Sequence, residues 1–287
     1  MRVHIITDSA SDLSQETAAQ WGITVMPLAI RFGDTEYRDG VTLSNTEFYE
    51  KLAAEKQPPK TSQITPYEYE QAFRQHLDKG EEVVCLCISS GVSGSYQSAC
   101  TAASMFDEGV YVVDSQQFCV SEAIQAQYAV RLRDEGKSAR EIAETLEATK
   151  GRAHVIAVFD TLEYLKKGGR ISATAAFVGG ALSIKPVLTI EEGVVKILGK
   201  ARGSHRANNM LTEFVEKYGP IDFDMPYYLA YSGASDELLR TYVRDSSRLY
   251  EDLPGGLPEH PPVASVGATI GTYAGPGAIA LAFYSKV

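Results

Sequence analysis

Val83-Val84-Cys85-Leu86-Cys87-Ile88 is an unbroken apolar run, and Ser89-Ser90-Gly91-Val92-Ser93-Gly94-Ser95 follows it at once. The run reads as a strand, the loop as a turn rich in hydroxyls and glycines, and Tyr96 to Phe106 as a helix by propensity. The same order recurs at Val3 to Thr7 followed by Asp8-Ser9-Ala10-Ser11, and at Val110 to Val113 followed by Asp114-Ser115. Strands that alternate with helices imply parallel pairing through helical crossovers. Two capping boxes mark helix starts, Thr65-Pro66-Tyr67-Glu68 and Ser138-Ala139-Arg140-Glu141, and Gly151 is expected to end the second helix.

The second half is patterned differently. His154 to Phe159 reads as a strand and Thr161 to Lys167 as a short helix stopped by Gly168-Gly169. Val187 to Ile190 and Val194 to Leu198 flank Glu191-Glu192-Gly193 as a hairpin. Helices near 204–218 and 236–250 bracket a strand at Tyr227 to Tyr231, and Gly271 to Gly277 precedes a closing strand. The expected fold class is α/β, with two α/β domains: 1–155 with a mostly parallel sheet, and 156–287 with a mixed one. No long linker separates them, so they should pack closely and form a cleft.

The chain has 287 residues, 44% hydrophobic and 22% charged, which permits an ordinary packed core. Its net charge of -10 repels phosphates and anionic lipid surfaces, so neither nucleic acid nor a membrane is expected as the main partner. No apolar run reaches the roughly 18 residues that a membrane helix needs. The start, Met1-Arg2-Val3-His4-Ile5-Ile6-Thr7-Asp8, reads as a strand rather than a targeting signal, so the expected location is the cytoplasm. Cys85 and Cys87 share one face of their strand and are expected in the core, since no Cys or His falls at metal-ligand spacing. No metal or cofactor is expected.

The hydroxyl-rich loops sit where parallel strands end, which is where open α/β sheets place ligands. A helix starting near Ser95 turns free N–H groups toward the loop, and the Ser93 hydroxyl adds a neutral donor. Lys60-Thr61-Ser62-Gln63 has the same character. Together these loops suit a carboxylate or a phosphate, although Ser, Thr and Gly before a helix are also ordinary caps and turns. Enzyme motifs are missing. Gly91-Val92-Ser93-Gly94-Ser95 is not G-x-S-x-G, Gly180 to Lys185 lacks the G-K-[ST] end of a P-loop, and Gly271 to Gly277 is not a dinucleotide fingerprint. A hydrolase using Ser93 would need a base that the sequence does not reveal.

The chain resembles the DegV family of bacterial fatty acid-binding proteins, which includes the acyl-carrying subunits of fatty acid kinase. The resemblance spans the chain. It rests on Ile6 to Leu13, Lys60 to Gln63, Ser89 to Ala99, Val112 to Ser115, Leu165 to Ser172, Ile184 to Leu188 and Gly275 to Ala278. It implies a two-domain α/β fold that buries a long-chain fatty acid at the junction, with Thr61 and Ser93 on the carboxylate. Ser62, Ser90, Gly94 and the motif arginine Arg170 are further candidates. It also implies that the region of Arg202 meets a separate kinase subunit, which phosphorylates the presented carboxylate to an acyl phosphate. Where the family often reads H-T-G-P-G, this chain has Tyr273-Ala274-Gly275-Pro276-Gly277. A tyrosine hydroxyl donates to a carboxylate but stays neutral near pH 7, so Tyr273 joins the candidates. The small residues 171–184 suit a tunnel wall or, equally, close helix packing. Arg170 and Arg202 after glycine-bearing turns would also serve helix-end carbonyls.

Overall fold

The computed structural model describes residues 2–55, 57–171 and 184–286. The first half runs β1 (Arg2–Asp8), α1 (Gln15–Trp21), β2 (Thr24–Met26), β3 (Ala29–Phe32), β4 (Thr35–Arg38), α2 (Asn45–Ala54), β5 (Lys60–Ser62), α3 (Pro66–Leu77), β6 (Glu81–Cys87), α4 (Ser95–Ala103), β7 (Val110–Asp114), α5 (Val120–Asp134) and α6 (Ala139–Thr149). The second runs β8 (Ala153–Val158), α7 (Glu163–Gly168), β9 (Ile184–Glu191), β10 (Val194–Arg202), α8 (Ser204–Tyr218), β11 (Tyr228–Tyr231), α9 (Glu237–Asp245), β12 (Val263–Ser265), α10 (Ala268–Ala274) and β13 (Ile279–Tyr284).

Three sheets result. The first is wholly parallel, in the order β2-β1-β6-β7. The second is mixed, in the order β10-β9-β8-β13-β11-β12, with only β11 and β12 parallel. The third is a small antiparallel sheet, β4-β3-β5. The α/β class, the parallel first sheet and the mixed second sheet are as expected. The small sheet, β2 and the first two helices were not anticipated, because strands of three or four residues are too short to show a period.

Both expected capping boxes form, at Thr65 with Glu68 and at Ser138 with Glu141, and a third joins Ser44 to Glu47. The reading of Gly151 as a helix stop is corrected. The helix gives way at Thr149 to a 3-10 turn, Lys150–Arg152, and Gly151 lies inside that turn without a left-handed backbone. The hairpin forms as read, with Glu192 (φ 52°) and Gly193 (φ 77°) making the two-residue turn between β9 and β10.

The mixed sheet shows how alternation makes room. Along β8, Ala153, Val155 and Ala157 face inward toward the parallel sheet, while Ile156 and Val158 face α8 and α9. Along β13 the inward residues are Ala280 and Ala282, and the outward ones are Ile279, Leu281 and Phe283. Period-two alternation thus gives one face large side chains and the other mostly alanines. α5 packs against both sheets, with Val120 and Ile124 in the core shared with the mixed sheet and Ala123, Ala126 and Ala129 packed with Ile5, Val84 and Leu86 of the parallel sheet. Cys85 and Cys87 are buried with their sulfurs 3.6 Å apart, as core residues.

Candidate functional site

The carboxyl ends of the parallel strands meet the small sheet and α10 around a cavity of about 660 Å3. Its described mouth carries Thr61 and Ser62 from β5 and Gln63 just after it, Ser90, Ser93 and Gly94 from the loop after β6, Arg170 after α7, and Tyr273 from α10. Seven of the eight sequence candidates therefore come together. Arg202 does not. It ends β10 opposite Ile184, exposed and outside the described lining. The small-residue stretch read as a tunnel wall falls almost wholly on 172–183, outside the described residues.

Thr61 and Tyr273 are joined, their hydroxyl oxygens 2.6 Å apart. Thr61 reaches this point because β5 pairs antiparallel with β3, placing Thr61 opposite the buried Ile30. The Tyr273 ring lies so close to Gly168 that a Cβ there would overlap it. Arg170 stacks its guanidinium 5.0 Å from that ring's centre while donating to the Gly168 carbonyl at 2.8 Å. Arg170 thus satisfies a helix-end carbonyl and also lines the cavity.

The loop after β6 is equally tied down. Ser93 Oγ accepts from the Ser95 backbone N–H at 3.2 Å and donates to Ser95 Oγ at 3.1 Å. Ser95 Oγ in turn accepts from Ile64 N–H, linking this loop to the one that carries Thr61. A Cβ on Gly94 would overlap the Gln63 carboxamide, so glycine lets the two loops close on each other. Ser90 donates to Asp114 at 2.6 Å, so its hydroxyl hydrogen is already engaged. Ser89 donates to the Gly193 carbonyl at 2.8 Å, bringing the β9–β10 turn against this loop.

Residues that sequence reading missed hold α10 in place. Asp39 accepts from the N–H groups of Ala268 and Thr269, at 3.0 and 2.9 Å, and from the Thr269 hydroxyl. Asp12 accepts from Gly267 N–H at 2.8 Å. Carboxylates suit the first turn of a helix, where N–H groups lack partners. Asp8 joins the sheet edge by accepting from Ile88 N–H at 2.8 Å and Ala10 N–H at 3.0 Å. Burial pushes Asp8 up to about 7 and Asp12 up to about 8, and raises Asp39. The only sequence signal for these roles was an acid in each polar loop.

Beyond the mouth lies an apolar arm of about 60 Å3 under the alanine-rich face of the mixed sheet. Ala157, Ala230, Ala278 and Ala280 line it, with Leu188 and Ile190 from β9. Phe118, Phe159, Ile270 and Ala274 line both spaces, so they form the partition between them. This is the architecture of a three-sheet α/β protein with a cavity that is polar at the mouth and apolar beyond it.

The chain belongs to the DegV family. The family model described as "Uncharacterised protein, DegV family" matches residues 2–286. A DegV domain-containing protein of Caldanaerobacter subterraneus is 34% identical over 99% of both chains. One from Deinococcus radiodurans is 35% identical over 98% of both. Among solved structures, a fatty acid-binding DegV family protein of Thermus thermophilus matches with a TM-score of 0.87 at 32% identity, covering 100% of both chains. A stearic acid-binding protein of Eubacterium ventriosum matches with a TM-score of 0.85 at 29% identity, covering 98% of both.

Proposed function

We propose that this chain binds one long-chain fatty acid, with the carboxylate on Thr61, Ser93 and Tyr273 and the tail directed past Phe118 and Phe159 into the apolar arm. The observation that carries this reading is the Thr61–Tyr273 hydroxyl pair at the mouth of a cavity that turns apolar beyond it. Fatty acid binding by the related Thermus and Eubacterium proteins supports it. A tail of about 15 methylenes gains on the order of 12 kcal/mol on burial, at about 0.8 kcal/mol each, before ordering costs. The tail therefore dominates affinity, and the hydroxyls orient the head. Ser62, Ser90, Gly94 and Arg170 complete the mouth. The ligand then lies at the junction of the proposed domains 1–155 and 156–287.

The chain acts as a carrier in the cytoplasm. It presents the carboxylate to a separate ATP-binding kinase subunit, which forms the acyl phosphate, and the exposed Arg202 belongs to the surface that meets this subunit. The sequence of the carrier shows neither a P-loop nor a dinucleotide fingerprint, which fits a nucleotide held by the other subunit. A serine hydrolase reading is less well supported, because the described partners of Ser93 Oγ both belong to Ser95. Native mass spectrometry of protein purified from a lipid-containing host tests the proposal. It should show one fatty acid per chain, released as free acid on extraction. Protein that carries no lipid and takes up no added oleate overturns the reading. Lipid binding with no phosphorylation by any cognate kinase would overturn the carrier role alone.

A further inference from the structure

At the opposite edge of the parallel sheet, where the strands begin, three metal-binding side chains converge. His4 comes from β1, His76 from the last turn of α3, and Glu81 from the first residue of β6. The turn after α3 reverses the chain directly into β6, so His76 and Glu81 are brought together locally. Parallel pairing of β1 with β6 sets His4 opposite Val83, beside them. One donor atom from each of the three lies within 4.8 Å of the others, and no other His, Cys, Asp or Glu trio among the described residues does so. His76 Nδ1 is 2.8 Å from Glu81 Oε2, and His4 Nε2 is 2.9 Å from the Thr24 hydroxyl.

A helix-end histidine paired with a glutamate would by itself be ordinary capping chemistry. It does not account for the second imidazole, stacked on the first at 3.5 Å between ring centres and 13° between planes. We propose that His4, His76 and Glu81 form a divalent transition-metal site, with Zn2+ as its ion. Two imidazoles and one carboxylate are a known three-residue zinc set, and such sites leave a further position open. Here Glu81 is on the open side, its side chain 20% exposed. An ion about 2.1 Å from each donor in tetrahedral geometry sets the donors roughly 3.4 Å apart. The trio contracts to this by rotation of the rings, which opens their stack so that both lone pairs face the ion. The Thr24 hydroxyl then orients His4 as an outer partner. Glu81 is the one anionic donor of the three, beside two imidazoles. That balance favours an imidazole-binding ion over Mg2+ or Ca2+, which take oxygen ligands.

Titration calorimetry of the full chain with ZnCl2 at pH 7.5 tests this. It should give one saturable site per chain that MgCl2 does not occupy. His4→Gln and His76→Gln should each weaken binding at least 100-fold, and Thr24→Val about tenfold. Glu81→Gln keeps the size of a partly exposed side chain, its folding is checked by circular dichroism, and it should also lose tight binding. Cys100→Ala, which removes a half-exposed thiol elsewhere, should change nothing. Absence of a one-to-one site overturns the proposal, as does wild-type affinity in His4→Gln or Glu81→Gln.

Discussion

Thr61 and Tyr273 each carry one hydroxyl hydrogen. One of the two is taken up by the 2.6 Å bond between them. The pair therefore has a single hydrogen left for a carboxylate. Thr61→Val removes one hydroxyl and frees the Tyr273 hydrogen, and Tyr273→Phe frees the Thr61 hydrogen in the same way. Both changes keep the shape: valine preserves the branched strand residue, and phenylalanine keeps the ring under Arg170. Each single variant then keeps one donor to the anion; the hydroxyl–hydroxyl bond it loses is made in the free protein as well as the bound one, so Kd should change little. The double variant loses the bond to the charged group, about 1.5–3 kcal/mol. Independent effects would therefore sum to almost nothing, whereas the shared hydrogen predicts about 1.5–3 kcal/mol, from roughly tenfold to somewhat over 100-fold. Titration of delipidated protein with oleate below its micelle concentration measures all four corners of the cycle. A double variant no weaker than the product of the singles would show that each hydroxyl donates its own hydrogen, and the shared-donor reasoning would be wrong.

Three further outcomes are expected. Gly168→Ala places a Cβ where the Tyr273 ring lies, so oleate affinity should fall about tenfold with little change in far-UV circular dichroism; unchanged affinity would mean the ring's seat does not matter. Phe159→Trp narrows the partition, and it should weaken binding of an 18-carbon acid more than a 12-carbon one; an unchanged ratio removes the arm as the tail's path. Stability should fall as pH rises from about 6.5 to 8. Asp8 and Asp12 have folded pKa values raised from 3.8 to about 7 and about 8, so the stability they contribute at low pH is lost progressively until those values are passed. His4 and His154 are lowered from 6.5 to about 4, so their contribution is lost as pH falls from 6.5 toward 4; it offsets the two acids over that range and leaves the alkaline fall as the clear signal. Urea midpoints across pH 4 to 9 read this out, and Asp12→Asn should flatten the alkaline side; an identical slope would clear Asp12 of the effect.

The parallel half was legible because its strands are long and apolar and its loops carry hydroxyls directly after them. Val83 to Ile88 and the loop beyond it sufficed to place Ser93 at a sheet edge. Tyr273 and Thr61 are a different matter. They are 212 residues apart, and their contact depends on β5, a strand of three residues whose place comes from pairing with β3. No local pattern announces that pairing, and only the family resemblance brought the two positions together. The arm was legible in principle. Ala278-Ile279-Ala280-Leu281-Ala282 alternates small with large, and that alternation is the shape of a sheet with one roomy face. Sequence reading assigned a tunnel wall to the small residues 171–184, which lie almost wholly outside the described residues.

The carboxylates that position α10 bear on how an anion is tolerated at the mouth. Asp8, Asp12 and Asp39 all lie at the same sheet edge as the hydroxyl loops, and free charges there would repel a fatty acid head. Their oxygens are instead directed to backbone N–H groups, two for Asp8, one for Asp12 and two for Asp39, with the Thr269 hydroxyl as a third donor to Asp39. Burial then raises all three toward the neutral form. Asp12 and Asp39 fix the helix that carries Tyr273, and Asp8 ties the loops at the ends of β1 and β6, while all three add less field than exposed acids would. The donors left facing the cavity are neutral hydroxyls, with Arg170 as the cation at the rim. On the proposed reading, this arrangement favours a monoanion that arrives with its own apolar anchor. A small carboxylate without a tail would have to be held by the hydroxyls alone, and a phosphate dianion would meet too little positive charge.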